Sequence, residues 1–269
     1  MDQKTISRVN RSGWDQSAYQ AWTNRHGSPK EYAKKLVENP TNAIEHYLKF
    51  IGEVKDKKIA NFLGSKGNKA VSFALLGAEV TVVDISQDNK KYAMELANEA
   101  NVDIQYIVSD ILEVPVEESL TDFDVVLLEL GVLHYFVDLH PLFKVVYDSL
   151  KPGRQFILRD YHPVLSKLLN VEGNEMSASG NYFSKEVVEE DVAYHFLLSE
   201  EERATLKKVN IRRWTLGEIV TAISNAGFHI TYLEEEAGVR WAFPVNSPGG
   251  MENKIPGLYT LVAKKKKEG

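Results

Sequence analysis

Gly64-Ser65-Lys66-Gly67 sits between a short apolar run and an amphipathic one. Glycine lets a chain turn tightly and lets a ligand approach the backbone, and a helix N-terminus after it offers free N–H groups and a positive dipole end. Such a loop is also an ordinary strand-to-helix turn, so it needs company to mean more. Asp84 supplies some, 20 residues after Gly64 at the end of the next apolar run. A carboxylate there can accept two hydrogen bonds from a ribose diol; its plainer role is to cap a helix ahead of Ser86. Asp110 ends a third run, in Val108-Ser109-Asp110-Ile111-Leu112. It can accept from an exocyclic amine while Ile111 packs on a flat base, or it can be a simple loop acid.

Two histidines are candidate bases, since an unperturbed imidazole titrates near about pH 6.5. His134 lies in Gly131-Val132-Leu133-His134-Tyr135-Phe136, and His162 in Arg159-Asp160-Tyr161-His162-Pro163. Packing or capping is the alternative for each. No metal site is expected. His134 and His140 lack the spacing of a helical ligand pair, and the acids from Glu189 to Asp191 read as a solvated face. Cysteine is absent, which removes disulfides, Cys-ligated zinc, iron–sulfur clusters and a thiol nucleophile.

The elements that would hold these residues follow from periodicity. Residues 1–55 read as helical and polar, with a capping box at Ser28-Pro29-Lys30-Glu31. From residue 58 short apolar runs alternate with helical periods. Strands are expected at 59–63, 79–83, 104–108, 123–130 and 155–159, with Lys151-Pro152-Gly153 as a turn before the last. Helices are expected at 69–76, after Ser86, and from Asp138 to Leu150. Residues 162–212 break the pattern and read as an insertion over the rim of the sheet. Thr215-Leu216-Gly217-Glu218 is a second capping box, followed by strands at 228–235 and 257–263. The fold class is α/β: a doubly wound, mostly parallel sheet of seven strands with helices on both faces. It divides into a helical cover (1–55), a Rossmann-like core (56–161), an insertion or lid (162–212) and a C-terminal part of the sheet (213–269). Ligands in such sheets bind beyond the carboxyl ends of the strands, where strand order reverses.

The acids and the loop together resemble the class I S-adenosylmethionine-dependent methyltransferase family. The resemblance rests on Ala60-Asn61-Phe62-Leu63-Gly64-Ser65-Lys66-Gly67 and on Leu76-Gly77-Ala78-Glu79-Val80-Thr81-Val82-Val83-Asp84-Ile85-Ser86. Asp110, Phe123-Asp124-Val125-Val126 and Leu150-Lys151-Pro152-Gly153-Arg154 follow in order. The resemblance implies S-adenosyl-L-methionine as cofactor. Its adenine would lie against Ile85 and Ile111, its ribose on Asp84, and its methionine part near Gly64 and Ser65 and around Glu129 and Leu130, with Gly67 and Asp110 also among the cofactor-binding residues. It also implies an N-terminal helix over the cofactor, with Tyr19 touching it. Family members usually carry an acid in the first strand and three glycines in the loop. Here the strand position falls near Asn61 or Phe62, and two glycines are present. Asn61 can hydrogen-bond the methionine part but cannot ion-pair with it.

Methyl transfer from a sulfonium requires alignment of the acceptor and exclusion of water, and a base only where the acceptor loses a proton. The expected acceptor is a small molecule. With 38 acidic against 32 basic residues, the net charge of −6 offers no footprint for nucleic acid, and Lys264 to Lys267 reads as a solvated tail. No signal peptide or membrane span is expected, and a cytoplasmic location fits. Two rivals remain at this level. A nicotinamide-dependent reductase would use the same loop with Tyr147-x-x-x-Lys151, and a methyltransferase-like domain could bind a ligand without turnover.

Overall fold

The computed structural model describes residues 1–267. Four helices come first: α1 (Gln3–Trp14), α2 (Ala18–His26), α3 (Pro29–Glu38) and α4 (Glu45–Ile51). The core then alternates β1 (Lys58–Phe62), α5 (Asn68–Leu75), β2 (Glu79–Asp84), α6 (Gln87–Glu99), β3 (Gln105–Val108), β4 (Phe123–Glu129), α7 (Leu139–Ser149) and β5 (Leu150–Tyr161). Two small hairpin pairs follow, β6 (Asn170–Glu172) with β7 (Glu175–Ser177), and β8 (Val187–Glu190) with β9 (Val209–Arg212), the second spanning the one-turn helix α8 (Glu200–Arg203). The chain returns to the core through α9 (Leu216–Asn225), β10 (His229–Glu236) and β11 (Leu258–Lys264).

The main sheet has seven strands in the order β10-β11-β5-β4-β1-β2-β3. Its pairs are parallel except those made by β11, which runs against both neighbours. Strand order reverses between β1 and β4, which opens a crevice at their carboxyl ends. The central strands β1, β2 and β4 are largely apolar on both faces because both are covered, whereas the edge strand β10 is mostly exposed. Ile59, Val82, Val125 and Leu127 pack under α3, α5 and α6, while Phe62, Val83, Val126 and Leu128 pack under α7 and α9.

Local chemistry sets the helix starts. Ser28 accepts from the Glu31 N–H while the Glu31 side chain accepts from the Ser28 N–H, and Thr215 and Glu218 repeat the arrangement. Ser86 caps α6 through the Asn89 N–H. One expectation is corrected: Lys151-Pro152-Gly153 is not a turn outside the strand but the irregular start of β5. Leu150 already pairs with Phe123, and the register shifts before Val125 pairs with Gln155. Gly153, at φ +76°, absorbs that shift. Residues of the segment after β5 pack on the N-terminal helices: Val192, Tyr194 and Leu198 share a core with Ala18, Ala21 and Trp22. Among the described residues no helix is long and apolar enough to cross a membrane, and no cluster of three metal-ligating side chains occurs.

Candidate active site

The turn from β1 into α5 takes left-handed φ at Leu63 (+51°), Ser65 (+48°) and Gly67 (+72°). Only the last is glycine, and a left-handed non-glycine residue costs about 1–2 kcal/mol. The surrounding groups hold it there. The Leu63 N–H donates to the Val83 carbonyl at 2.6 Å, the Ser65 N–H to Asp84 Oδ2 at 2.9 Å, and the Tyr106 hydroxyl to the Ser65 carbonyl at 2.7 Å. Gly64 and Gly67 serve close packing as well. A Cβ on Gly64 would lie 2.8 Å from Val82, and one on Gly67 2.7 Å from Ala93.

This turn edges a cavity of about 260 Å³ at the β1/β4 crevice. One wall carries Gly64, Ser65, Asp84, Ile85, Asp110 and Ile111; the other carries Glu129, Leu130, Gly131, His134, Tyr135 and Tyr161. Ten of the twelve residues expected at the site thus converge or adjoin here: Gly67 ends the turn, while Tyr19 and His162 do not arrive. One face of α1, formed by Gln3, Ser7, Asn10 and Trp14, lies across the cavity, and Trp22 and Ala193 contribute beside it.

Each acid has a distinct state. Asp84 Oδ1 accepts from the Ser86 N–H at 3.0 Å and from Asn89 Nδ2 at 3.1 Å. Burial raises its pKa, opposed by those bonds and by Ser65. Asp110 Oδ1 accepts from the Leu112 N–H at 3.0 Å, and its other oxygen has no partner among the described residues. Glu129 is buried. Its Oε2 accepts from the Tyr47 hydroxyl at 2.5 Å and lies 3.1 Å from Lys69 Nζ, which leaves Oε1 without a partner among the described residues.

Leu130, at φ +54°, and Gly131, at φ +85°, end β4 and swing the next residues over the cavity. The Gly131 N–H donates to Asp160 Oδ1, which fixes this bend. His134 faces the cavity from the short helical turn that follows. Burial, and then the charge of Arg213, push its pKa down to about 3, so the ring is neutral and weakly basic.

Two expected residues lie elsewhere. Tyr19 turns from the cavity toward α6, where its hydroxyl donates to Glu95 Oε2 at 2.6 Å and its ring lies under Lys91. Burial, then Glu95, push its pKa up to about 12. His162 follows Tyr161, the last residue of β5, and is not among the residues lining the cavity. Its Nδ1 accepts from the Val164 N–H at 3.1 Å and its Nε2 lies 2.7 Å from Glu235 Oε1. Asn61 stands behind Gly64, its Oδ1 2.9 Å from where a Cβ would be, and does not line the cavity. The Tyr147–Lys151 pairing is also absent. Lys151 Nζ bonds Asp124 Oδ2 at 3.0 Å, and Tyr147 packs on Phe228.

Sequence reasoning did not single out Asn10, Lys66 or Lys69 for the site. Lys66 belonged to a loop read for its glycines, and Asn10 to a helix read as polar cover.

Residues 63–158 match the methyltransferase domain family. That match and the fold together support S-adenosylmethionine-dependent methyltransferase activity of the class I kind. No curated protein sequence matches it. Solved structures share its fold at low identity. An S-adenosylmethionine-dependent methyltransferase of Mesorhizobium loti superposes with a TM-score of 0.61 at 19% identity, covering 85% of this chain and all of its own. The magnesium protoporphyrin IX methyltransferase of Synechocystis, with S-adenosylhomocysteine bound, gives 0.59 at 13%, covering 97% of this chain and all of its own. An S-adenosylmethionine-dependent methyltransferase of Clostridium acetobutylicum gives 0.55 at 16%, covering 86% and 92%.

The methyltransferase's own residues fit its cofactor. The free oxygen of Asp110, the carboxylate of Asp84 and the apolar faces of Ile85 and Ile111 suit an adenosine, and Glu129 and Lys66 bring charge of both signs to the far end of the same cavity.

Proposed function

We propose that this methyltransferase moves a methyl group to an oxygen or nitrogen of a small-molecule acceptor held beneath α1. The observation that carries the reading is the roof that α1 makes across the cavity. Gln3 Nε2 donates to the Tyr135 carbonyl at 3.1 Å and its Oε1 accepts from the Val137 N–H at 2.9 Å. Asn10 makes two bonds to the Asn210 backbone, at 3.0 and 2.7 Å. A roof tied at both ends confines the space beside His134, Tyr135 and Tyr161, which favours a compact acceptor over a macromolecule. The net charge of −6 and the cysteine-free sequence fit a small acceptor and a cytoplasmic setting.

The cofactor supplies a methyl group already activated on a sulfonium. Asp84 and Asp110 hold its adenosine part, and the left-handed turn presents backbone to it. Trp14, Trp22 and α1 exclude water from the reacting centre. Neutral His134 would accept a hydrogen bond from the acceptor's O–H or N–H and orient its lone pair, with the acceptor's proton released to solvent and S-adenosylhomocysteine as the leaving group, which makes alignment the main contribution. His162, off the cavity, takes no part.

The test is transfer of labelled methyl groups from S-adenosylmethionine to separate pools of small hydroxylated and aminated compounds, total protein and total RNA. Label entering only the small-molecule pool is expected. Label entering only protein or RNA would overturn the acceptor class and leave the family assignment intact.

A further inference from the structure

The charged residues lining the cavity are few: Asp84, Asp110 and Glu129 among the acids, and Lys66 and Lys69 among the bases. Asp84 and Asp110 end the two strands on one side of the turn and suit an adenosine. A ligand that starts there and follows the crevice ends beside Glu129 at the tip of β4. The far end of S-adenosylmethionine is an α-amino acid, with an ammonium and a carboxylate on one carbon.

Two groups of opposite sign wait at that end. Glu129 spends Oε2 on Tyr47 and Lys69, and its Oε1 has no partner among the described residues. Lys66 makes no hydrogen bond or ion pair among the described residues. Its ammonium lies 4.6 Å from the centre of the Trp22 ring and faces the cavity. A cation over an aromatic face is attracted by the ring quadrupole, but that does not replace a carboxylate. Burial, then the neighbouring Lys69, lower its pKa to about 7. A carboxylate arriving beside it would restore the charge and gain a charge-assisted hydrogen bond. Asn61, neutral and behind the turn, offers neither charge.

We propose that Lys66 and Glu129 clamp the α-amino-acid end of the methyl donor, Lys66 Nζ binding its carboxylate and Glu129 Oε1 its ammonium. The proposal rests on the cofactor assignment made above. It makes the residue between the loop's Ser65 and Gly67 a determinant of cofactor affinity.

Calorimetry with S-adenosylhomocysteine and with 5′-methylthioadenosine tests it, because the second ligand keeps the adenosine and lacks the amino-acid end. Wild-type protein should bind adenosylhomocysteine at least tenfold more tightly. Lys66→Met and Lys66→Gln, each checked for an unchanged melting temperature, should lose at least tenfold for adenosylhomocysteine and stay within twofold for methylthioadenosine. Wild-type affinity for adenosylhomocysteine in both variants overturns the clamp. Equal losses for both ligands also overturn it, since they mark a structural role. Wild-type protein that binds neither ligand refutes the cofactor assignment, and the clamp with it.

Discussion

The Ser65 N–H and the Asp84 carboxylate are joined at 2.9 Å, so the acid that ends β2 also sets the turn that follows β1. Asp84 therefore has two roles that one substitution removes together. Asp84→Ala leaves the half-buried Ser65 N–H, the buried Ser86 N–H and the Asn89 amide without their acceptor. At about 1–3 kcal/mol for each buried donor left unpaired, a stability loss of about 3 kcal/mol is expected. Cofactor affinity should fall at least tenfold. Urea melts and calorimetry with adenosylhomocysteine check the two effects separately, and wild-type affinity in the variant would remove Asp84 from the site.

Asn10 and Asn210, 200 positions apart, bind reciprocally: the Asn10 amide donates to the Asn210 carbonyl and accepts from its N–H. Asn10→Ala leaves both backbone groups buried and unpaired, which should cost about 2–3 kcal/mol. The loosened α1 should exchange its amide hydrogens faster than α7 does. Unchanged protection across α1 would show that the roof does not depend on this pair.

What the sequence disclosed, and what it hid, follows from the reach of each signal. The capping boxes at Ser28–Glu31 and Thr215–Glu218 and the strand-helix alternation are written within a few residues, so the seven-stranded sheet was legible. The turn kept its shape with Leu63 and Ser65 where glycine would be easier, because Val83, Asp84 and Tyr106 fix it from outside. Glycine counting could not see that. The resemblance implied a covering N-terminal helix, but which of its residues face the cavity was hidden for another reason. Its cavity face, Gln3, Ser7, Asn10 and Trp14, has helical spacing but mostly polar types, and apolar periodicity passes over it. Tyr19 and Trp22 share a short helix yet diverge, Trp22 inward and Tyr19 to Glu95, which no local pattern distinguishes.

His134 should show no titration near neutrality. With its pKa pushed down to about 3, the ring stays neutral from pH 5 to 8, and its Cε1 proton resonance should be flat across that range. A neutral hydrogen-bond acceptor is also less demanding to replace than a proton carrier. His134→Gln should keep kcat within about tenfold, whereas a general base is worth about 10²–10⁴-fold. An NMR inflection near pH 6.5, or a larger loss of kcat, would make His134 a base.

Asp160 gives the fold a pH dependence of definite sign. Burial pushes its carboxyl up to about 6, against N–H groups of Gly131, Tyr161 and Leu133 that favour the charged form. In the unfolded chain an aspartate titrates near about 3.9. Below that value both states hold the proton, and the contribution of the protonated, buried acid to stability is complete. Between about 3.9 and 6 the folded protein keeps a proton that the unfolded chain releases, so stability declines as pH rises. Above the folded pKa the loss is complete, at about 3 kcal/mol for a shift of about two units. Asp160→Asn retains an oxygen for the Gly131 N–H and cannot ionise. The stability of wild type relative to this variant should therefore fall by about 2 kcal/mol between pH 4.5 and 7.5, read from urea melts at both values. The difference between the two proteins cancels other titrating groups. A constant difference, or one that grows in favour of wild type with pH, would show that Asp160 is ionised in the folded protein throughout.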